Sequence, residues 1–245
     1  MLINRKNILN FLDFVKWFGL RKVYYRFQAQ KLKQNLINKD FARLAIDYYD
    51  GNQGQNTDLK TNNLGFGLLH YALVRNLKPK NVLVVGSLKG YVPALIAAAC
   101  RDNHFGQVDF VDAAFDEENN GKNWQGIGFW KKTNPQAHFA KIGVDKYLTL
   151  HIMTTQEFSK KHPHKKYQYI YIDGDHSYEG VKLDYKLFYP KLEKNGLMSF
   201  HDIVATGQLT GGDYGVQKFW QEIKSQTKIT FPFPKNSGLG ILQKR

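Results

Sequence analysis

The chain has 245 residues, 42% apolar, 14% aromatic and 23% charged, which excludes a disordered chain and suits one large α/β domain or two small ones. Lys and Arg number 35 against 21 Asp and Glu, a formal charge of +14, so the surface favours anionic partners such as nucleic acid, acidic headgroups or nucleotides without choosing among them. The single cysteine, Cys100, excludes an internal disulfide and a cysteine-built zinc site and fits a reducing compartment.

No apolar run approaches the roughly 18 residues of a spanning helix. The first apolar stretch carries Asn10, Asp13 and Lys16 and lacks a small-residue cleavage pattern, so the expected location is the cytoplasm. Residues 1–33 hold eight basic side chains and one acidic, half of the net charge. Ile8, Phe11, Leu12, Val15 and Phe18 recur there at helical spacing, with Trp17 and Tyr24 adding aromatic bulk. Two readings of this segment stay open: a helix lying on the anionic inner face of a membrane, and a helix packed on protein, either the rest of the chain or a second subunit of a homo-oligomer. Asp50 to Asn56 is polar and turn-rich, and a boundary drawn there leaves a helical extension over 1–56 and a main domain over 57–245.

Beyond the boundary, Leu68 to Val74 reads as a helix that ends before Pro79. Asn81 to Val85 is a short β-branched run that stops at Gly86, and Tyr91 to Cys100 is an Ala-rich helix, which makes Cys100 a buried thiol. Strands follow at Val108 to Asp112, Tyr147 to Ile152 and Tyr167 to Asp173, then a helix at Gly180 to Leu192 and a strand at Gly196 to His201. Gly215 to Lys224 reads as a helix, and Lys228 to Phe231 with Leu239 to Gln243 as a closing strand pair. Strands alternating with crossover helices predict a Rossmann-like, doubly wound, mainly parallel sheet.

In such a sheet the ligand site lies at the carboxyl ends of the strands. The first of these, Gly86-Ser87-Leu88-Lys89-Gly90-Tyr91, sets two glycines in a turn where a missing Cβ lets a ligand approach the backbone before a helix N-terminus. Asp112 closes the second strand, where a carboxylate suits the ribose hydroxyls of a nucleoside cofactor. Two further strand ends each carry an acid and a histidine: Asp173 with His176, and His201 with Asp202. Asp173 and Asp202, leaving adjacent strands, form a paired-carboxylate rim suited to a hard divalent cation. His176 lies beside it as a base with a near-neutral ordinary pKa. Between the second and third strands, Gly121 to Val144 holds Trp124, Phe129, Trp130 and His138, which read equally as a substrate wall or as core.

These residues carry a resemblance. From about Leu64 to Leu242 the chain resembles the class I S-adenosylmethionine-dependent methyltransferases, especially the small-molecule O-methyltransferases related to macrolide-sugar methyltransferases and cephalosporin-hydroxylase-like proteins. The likeness is most specific at Ile172 to Tyr178 and Phe200 to Ile203; Gly215 to Trp220 and Ser237 to Gly240 match the last helix and closing hairpin. It implies a seven-stranded sheet, a cofactor over Gly86, Ser87, Leu88, Gly90 and Tyr91 with its ribose near Asp112, and Asp173 touching both cofactor and metal. It further implies magnesium or another divalent metal on Asp173 and Asp202, and His176 taking the proton from a hydroxyl of a sugar, glycan precursor or other small molecule.

The chain departs from the family pattern twice. His201 stands where metal-dependent relatives have the first acid of a pair, so it is a third metal ligand of altered preference, a bystander, or the mark of a metal-independent relative. Val84 and Leu88 replace an acid and a glycine that relatives often carry around the first turn. Two other classes remain as rivals: an NAD-linked oxidoreductase on the same sheet, which gives the Asp173/Asp202 rim no purpose, and a non-catalytic module gripping RNA or an anionic membrane. Phosphate-loop, nucleophile-elbow and zinc-helix motifs are absent from the sequence, as is the Pro-Pro-aromatic run of base-modifying methyltransferases.

Overall fold

The computed structural model describes residues 38–116, 128–209, 212–224, 227–235 and 237–245. Residues 1–33, with their membrane and subunit readings, and Trp124 lie outside these. Among the described residues no helix is long and apolar enough to cross a membrane.

Seven strands form one sheet: β1 (Asn81–Val85), β2 (Gln107–Asp112), β3 (Leu148–Ile152), β4 (Tyr167–Ile172), β5 (Leu192–His201), β8 (Lys228–Phe231) and β9 (Leu239–Gln243), in the order β3-β2-β1-β4-β5-β9-β8. The first five run parallel, while β9 is antiparallel to both β5 and β8. A short hairpin of β6 (Gln208–Leu209) and β7 (Gly212–Asp213), not anticipated from the sequence, stands apart from the sheet. The strand order reverses between β1 and β4, which opens a crevice at their carboxyl ends.

Central position explains the composition of these strands. In β1, Val82 to Val85 are buried on both faces, as parallel strands covered by helices on each side require. In β4 the alternation Tyr167, Tyr169, Tyr171 puts three buried phenols on one face, and each hydroxyl finds a partner: Asp109 for Tyr167, His70 for Tyr169 and Asp173 for Tyr171.

The helices that cover the sheet are α1 (Lys39–Arg43, running into a π-helical turn at Leu44–Tyr48), α2 (Gly65–Leu77), α3 (Tyr91–Asn103), α4 (Phe129–Lys132), α5 (Pro135–Ala140), α6 (Thr155–Lys161), α7 (Tyr178–Phe188) and α8 (Val216–Glu222). Cys100 is fully buried in α3, and burial pushes its thiol up to about 12. Helix α7 starts two residues earlier than glycine-based reading suggests, because Ser177 caps it by accepting the Gly180 N–H at 3.0 Å. It also ends sooner, since Pro190 opens a 3-10 turn at Tyr189–Lys191 and Leu192 begins β5.

The compact unit that contains the sheet begins at Asp40, so residues 40–56, grouped above with the N-terminal extension, are part of this domain. The physical reason is burial: Ala42, Ala45, Ile46 and Tyr49 are core residues, and the Tyr49 hydroxyl donates to the His138 carbonyl at 2.9 Å.

Candidate active site

A cavity of about 390 Å³ opens at the crevice. Gly86, Ser87 and Leu88 after β1, Asp112 after β2, Thr154 to Gln156 at the start of α6, Asp173 to His176 after β4, and His201 and Asp202 at the end of β5 all line it. Gln53 and Gly54 reach it from the polar turn, and Tyr214 from the segment before α8. Most of the residues singled out in the sequence therefore meet at one place. Two do not face it: Gly90 packs beneath the rings of Phe139 and Trp130, and the buried Tyr91 side chain sits between Gly51 and Gly67, its hydroxyl donating to the Leu64 carbonyl at 2.6 Å.

The first turn uses the left-handed backbone region repeatedly, at Gly86 (φ +66°), Leu88 (+45°) and Gly90 (+91°). A Cβ on Gly86 would lie 2.2 Å from the Asp173 carbonyl oxygen. The glycine is therefore required by a backbone-to-backbone approach between the β1 and β4 turns rather than by a ligand. For Leu88 the left-handed conformation costs roughly 1–2 kcal/mol.

Asp112 accepts the Ala114 N–H at 2.8 Å, and burial lifts its carboxyl to about 6 against the pull of that bond. Asp116, four residues on, pairs with Lys131 at 2.7 Å. Asp184 of α7 also lines the cavity, beside Gly174, and burial lifts it to about 7.

At the rim, two carboxylates alternate with two imidazoles. Asp173 Oδ1 lies 3.4 Å from His176 Nε2 and 3.2 Å from His201 Nδ1, while Asp173 Oδ2 accepts the Tyr171 hydroxyl at 2.9 Å. Asp202 Oδ1 lies 3.2 Å from His201 Nδ1, and its Oδ2 lies 3.5 Å from His176 Nδ1. Burial alone would raise Asp173, but His201 and His176 hold it below the ordinary carboxylate range. Burial alone would likewise lower both histidines, but the carboxylates outweigh it: Asp173 and Asp202 hold His201 well above its ordinary value, and the same pair raises His176.

The tautomer of His201 follows from its other nitrogen. Nε2 lies 3.2 Å from the Gly54 carbonyl and 3.0 Å from Ser237 Oγ, and that hydroxyl is itself 2.6 Å from the same carbonyl. A carbonyl only accepts, so Ser237 donates to it and Nε2 carries a proton that both oxygens receive. Nδ1 is then the atom that faces the carboxylates. Across the cavity, Tyr214 stacks on the His176 ring at 5.6 Å, and the Gly215 N–H holds the His176 carbonyl at 2.8 Å.

Gly54, Gln55, Tyr171 and Ser237 were not among the expected site residues. Gln55 donates to the Tyr171 hydroxyl at 3.2 Å, across 116 positions of sequence. Only the polar composition of the 50–56 turn hinted at this, and it reads as a boundary.

The strand order and the rim define a Rossmann-like fold with its site at the switch point, and comparison with known proteins is consistent with it. The family model for methyltransferase domains matches residues 83–203. Among solved structures, the O-methyltransferase of Bacillus cereus in complex with SAH is 14% identical, with 88% of this chain and 96% of that one covered at a TM-score of 0.58. The O-methyltransferase TomG of Streptomyces achromogenes, in complex with SAM, is 14% identical over 91% and 95%, with a TM-score of 0.55. The SAH-bound Podospora anserina methyltransferase PaMTH1 is 13% identical over 100% and 98%, also at 0.55. A curated relative, the uncharacterised protein y4gI of Sinorhizobium fredii, is 32% identical over 73 residues, 30% of this chain; the match spans only 8% of that protein. Residues 83–203 thus match a methyltransferase domain, and the chain shares the fold of these solved methyltransferases.

Proposed function

We propose that the protein transfers a methyl group from S-adenosylmethionine to the oxygen of a small-molecule acceptor, a hydroxyl of a sugar or glycan precursor. The observation that carries this reading is that one cavity joins the turn at Gly86 to Leu88 and the Asp112 carboxylate to the rim of Asp173, His176 and Asp202. Its apolar floor, from Val85, Val111 and Met153, suits a nucleoside base, and Asp112 suits the ribose hydroxyls. When bound, the cofactor supplies a methyl group on a sulfonium, a leaving group that needs no further activation.

The chain's own residues do the rest. His176, oriented by Asp173, Asp202 and the stacked Tyr214, takes the hydroxyl proton as the oxygen attacks. The turn and the rim hold cofactor and acceptor in line, so that binding energy supplies the alignment. Gln53 and Tyr214, which also line the cavity, would face the acceptor in this reading.

A divalent cation is part of this reading. Asp173, His201 and Asp202 each offer one atom, all within 4.8 Å of one another. One nitrogen and two carboxylate oxygens match poorly the all-oxygen octahedron of magnesium and suit manganese, zinc or another first-row cation, once Nδ1 of His201 gives up its proton. The Nε2–H held by Gly54 is the supporting bond a metal-binding imidazole uses. A cation there would lower the pKa of the acceptor hydroxyl. Peripheral contact of residues 1–33 with an anionic membrane belongs to the same proposal, supported by their charge, and would bring the enzyme to a lipid-linked acceptor.

Calorimetry with S-adenosylhomocysteine, followed by transfer of labelled methyl to a panel of hydroxylated sugars, tests the reading. Binding of NAD in place of the adenosyl ligand would favour the oxidoreductase. Salt-sensitive RNA binding with no affinity for either would favour the non-catalytic module.

A further inference from the structure

Leu88 holds a left-handed conformation at φ +45° in the turn that lines the cavity, a region that leucine seldom enters. Its carbonyl accepts the indole N–H of Trp130 at 2.8 Å, and the next carbonyl, that of Lys89, is bound by His138 Nε2 at 2.9 Å. Trp130 and His138 are both buried, 5.2 Å apart and edge to face, and neither lines the cavity.

These two anchors are themselves held. Tyr48 stacks on His138 at 4.7 Å, Trp130 stacks on Phe139 at 5.6 Å, and Lys89 pairs with Asp50 at 3.2 Å. Gly90 closes the turn with its N–H on the Ser87 carbonyl at 2.6 Å, and a Cβ there would come within 2.8 Å of the Phe139 ring. The indole thus comes from a rigid aromatic cluster, and it binds the one residue of the turn whose conformation its side chain opposes.

We infer that Trp130 is a positioning residue of the turn: its N–H fixes the Leu88 carbonyl in the direction that only the left-handed backbone allows, so a leucine serves where a glycine would need no such anchor. The shape presented to the cofactor is then set from outside the cavity. The consequence for binding rests on the proposed cofactor reading, while the effect on the turn itself does not.

Native-state hydrogen exchange of residues 86–90 in the cofactor-free chain tests it, in wild type, Trp130→Phe, Leu88→Gly and the double variant. Phenylalanine keeps the ring and removes the donor. Losing one such bond corresponds to up to about a tenfold change. Trp130→Phe should therefore speed exchange of the turn about three- to tenfold and weaken S-adenosylhomocysteine by a similar factor. In the Leu88→Gly background the same change should have an effect below about twofold, because the strain that the bond opposes is gone.

Equal turn exchange in Trp130→Phe and wild type overturns the inference, as does the same acceleration in both backgrounds. Faster exchange throughout α3 in both backgrounds marks a general packing role and also overturns it. If Trp130→Phe does not fold alone, recovery of folding by Leu88→Gly supports the inference and failure of the double variant overturns it. Wild type that does not bind the ligand, with the exchange pattern as expected, would remove the cofactor reading and leave the positioning role standing.

Discussion

Nδ1 of His201 lies 3.2 Å from Oδ1 of Asp202, the next residue in the chain. Neighbours in an extended strand point to opposite faces, and these two meet because Asp202 leaves the strand in the left-handed region, at φ +61°. The turn is pinned by the Asp202 N–H on the Gly238 carbonyl at 3.1 Å. A conformation that only a few residue types accept thus brings a histidine and a carboxylate to one point of the rim.

Asp202→Asn separates charge from conformation, since asparagine also tolerates this region. The variant should melt within a few degrees of wild type and lose at least about tenfold in methyl transfer, the loss of one charge-assisted contact. Chelation of wild type by EDTA should lower the rate, and manganese or zinc should restore it at lower concentration than in the variant. Rates indifferent to both EDTA and the substitution would leave Asp202 a structural residue.

His176→Ala removes the proposed base while leaving the turn and Asp112 in place. Methyl transfer should fall by about 10²–10⁴-fold, with S-adenosylhomocysteine affinity changed by less than about threefold. Calorimetry and single-turnover rates on the same preparation check the split, and a large loss of affinity would move His176 from acceptor to cofactor.

Gly86→Ala should destabilise the chain even without ligand, because its Cβ would meet the Asp173 carbonyl at 2.2 Å in a left-handed residue. A cost of about 2 kcal/mol or more corresponds to a fall of about 4–8 °C for a domain of this size. A thermal melt of the cofactor-free protein decides this, and an unchanged midpoint would mean that the two turns have room to separate.

Cofactor affinity should fall in acid. Asp112, lifted to about 6 by burial, accepts hydroxyl hydrogens best when ionised, and protonation below that pH converts one of its oxygens to a donor. Between pH 7 and pH 5 the ionised fraction falls about tenfold, and the S-adenosylhomocysteine dissociation constant should rise by about the same factor. Asp112→Asn should bind more weakly at pH 7 and lose the pH dependence. An identical slope in both proteins would assign it to another group.

Stability should carry the opposite signature of Asp184. Its folded pKa, raised by burial to about 7, lies above the roughly 3.9 of an exposed aspartate. Its contribution is therefore full below the unfolded value and is lost as pH rises through 7. Asp184→Asn should melt higher than wild type at pH 8 and flatten the change between pH 4 and 8. A lower midpoint at pH 8 would show that the ionised carboxylate is wanted.

The strand ends were readable because each chemical residue follows a run of buried β-branched or aromatic residues directly: Asp112 after Phe110 and Val111, Asp173 after Ile172, His201 after Phe200. Periodicity locates the run, and the topology of a parallel sheet brings the ends together. The support beneath them was not readable. Gly54, Gln55 and Ser237 reach His201 and Tyr171 across long stretches of sequence, and nothing local marks a polar turn as one that folds back onto a distant strand. The polar Glu193-Lys194-Asn195 likewise hid the first half of β5, which lies on the exposed end of the sheet. Trp130 and His138 stood between wall and core on composition alone, and the hydrogen bonds that define their place run to backbone carbonyls, whose partners a sequence does not display.

The indole bond at Leu88 gives the chain an optical handle. Trp130 is one of four tryptophans, and its N–H is attached to the turn that lines the cavity. The indole excited state is sensitive to the field and hydrogen bonding around that N–H, so the ultraviolet emission of the unlabelled protein should register any displacement of the Leu88 carbonyl. Occupancy of the cavity is then visible in a cuvette, before an acceptor is known and without any turnover.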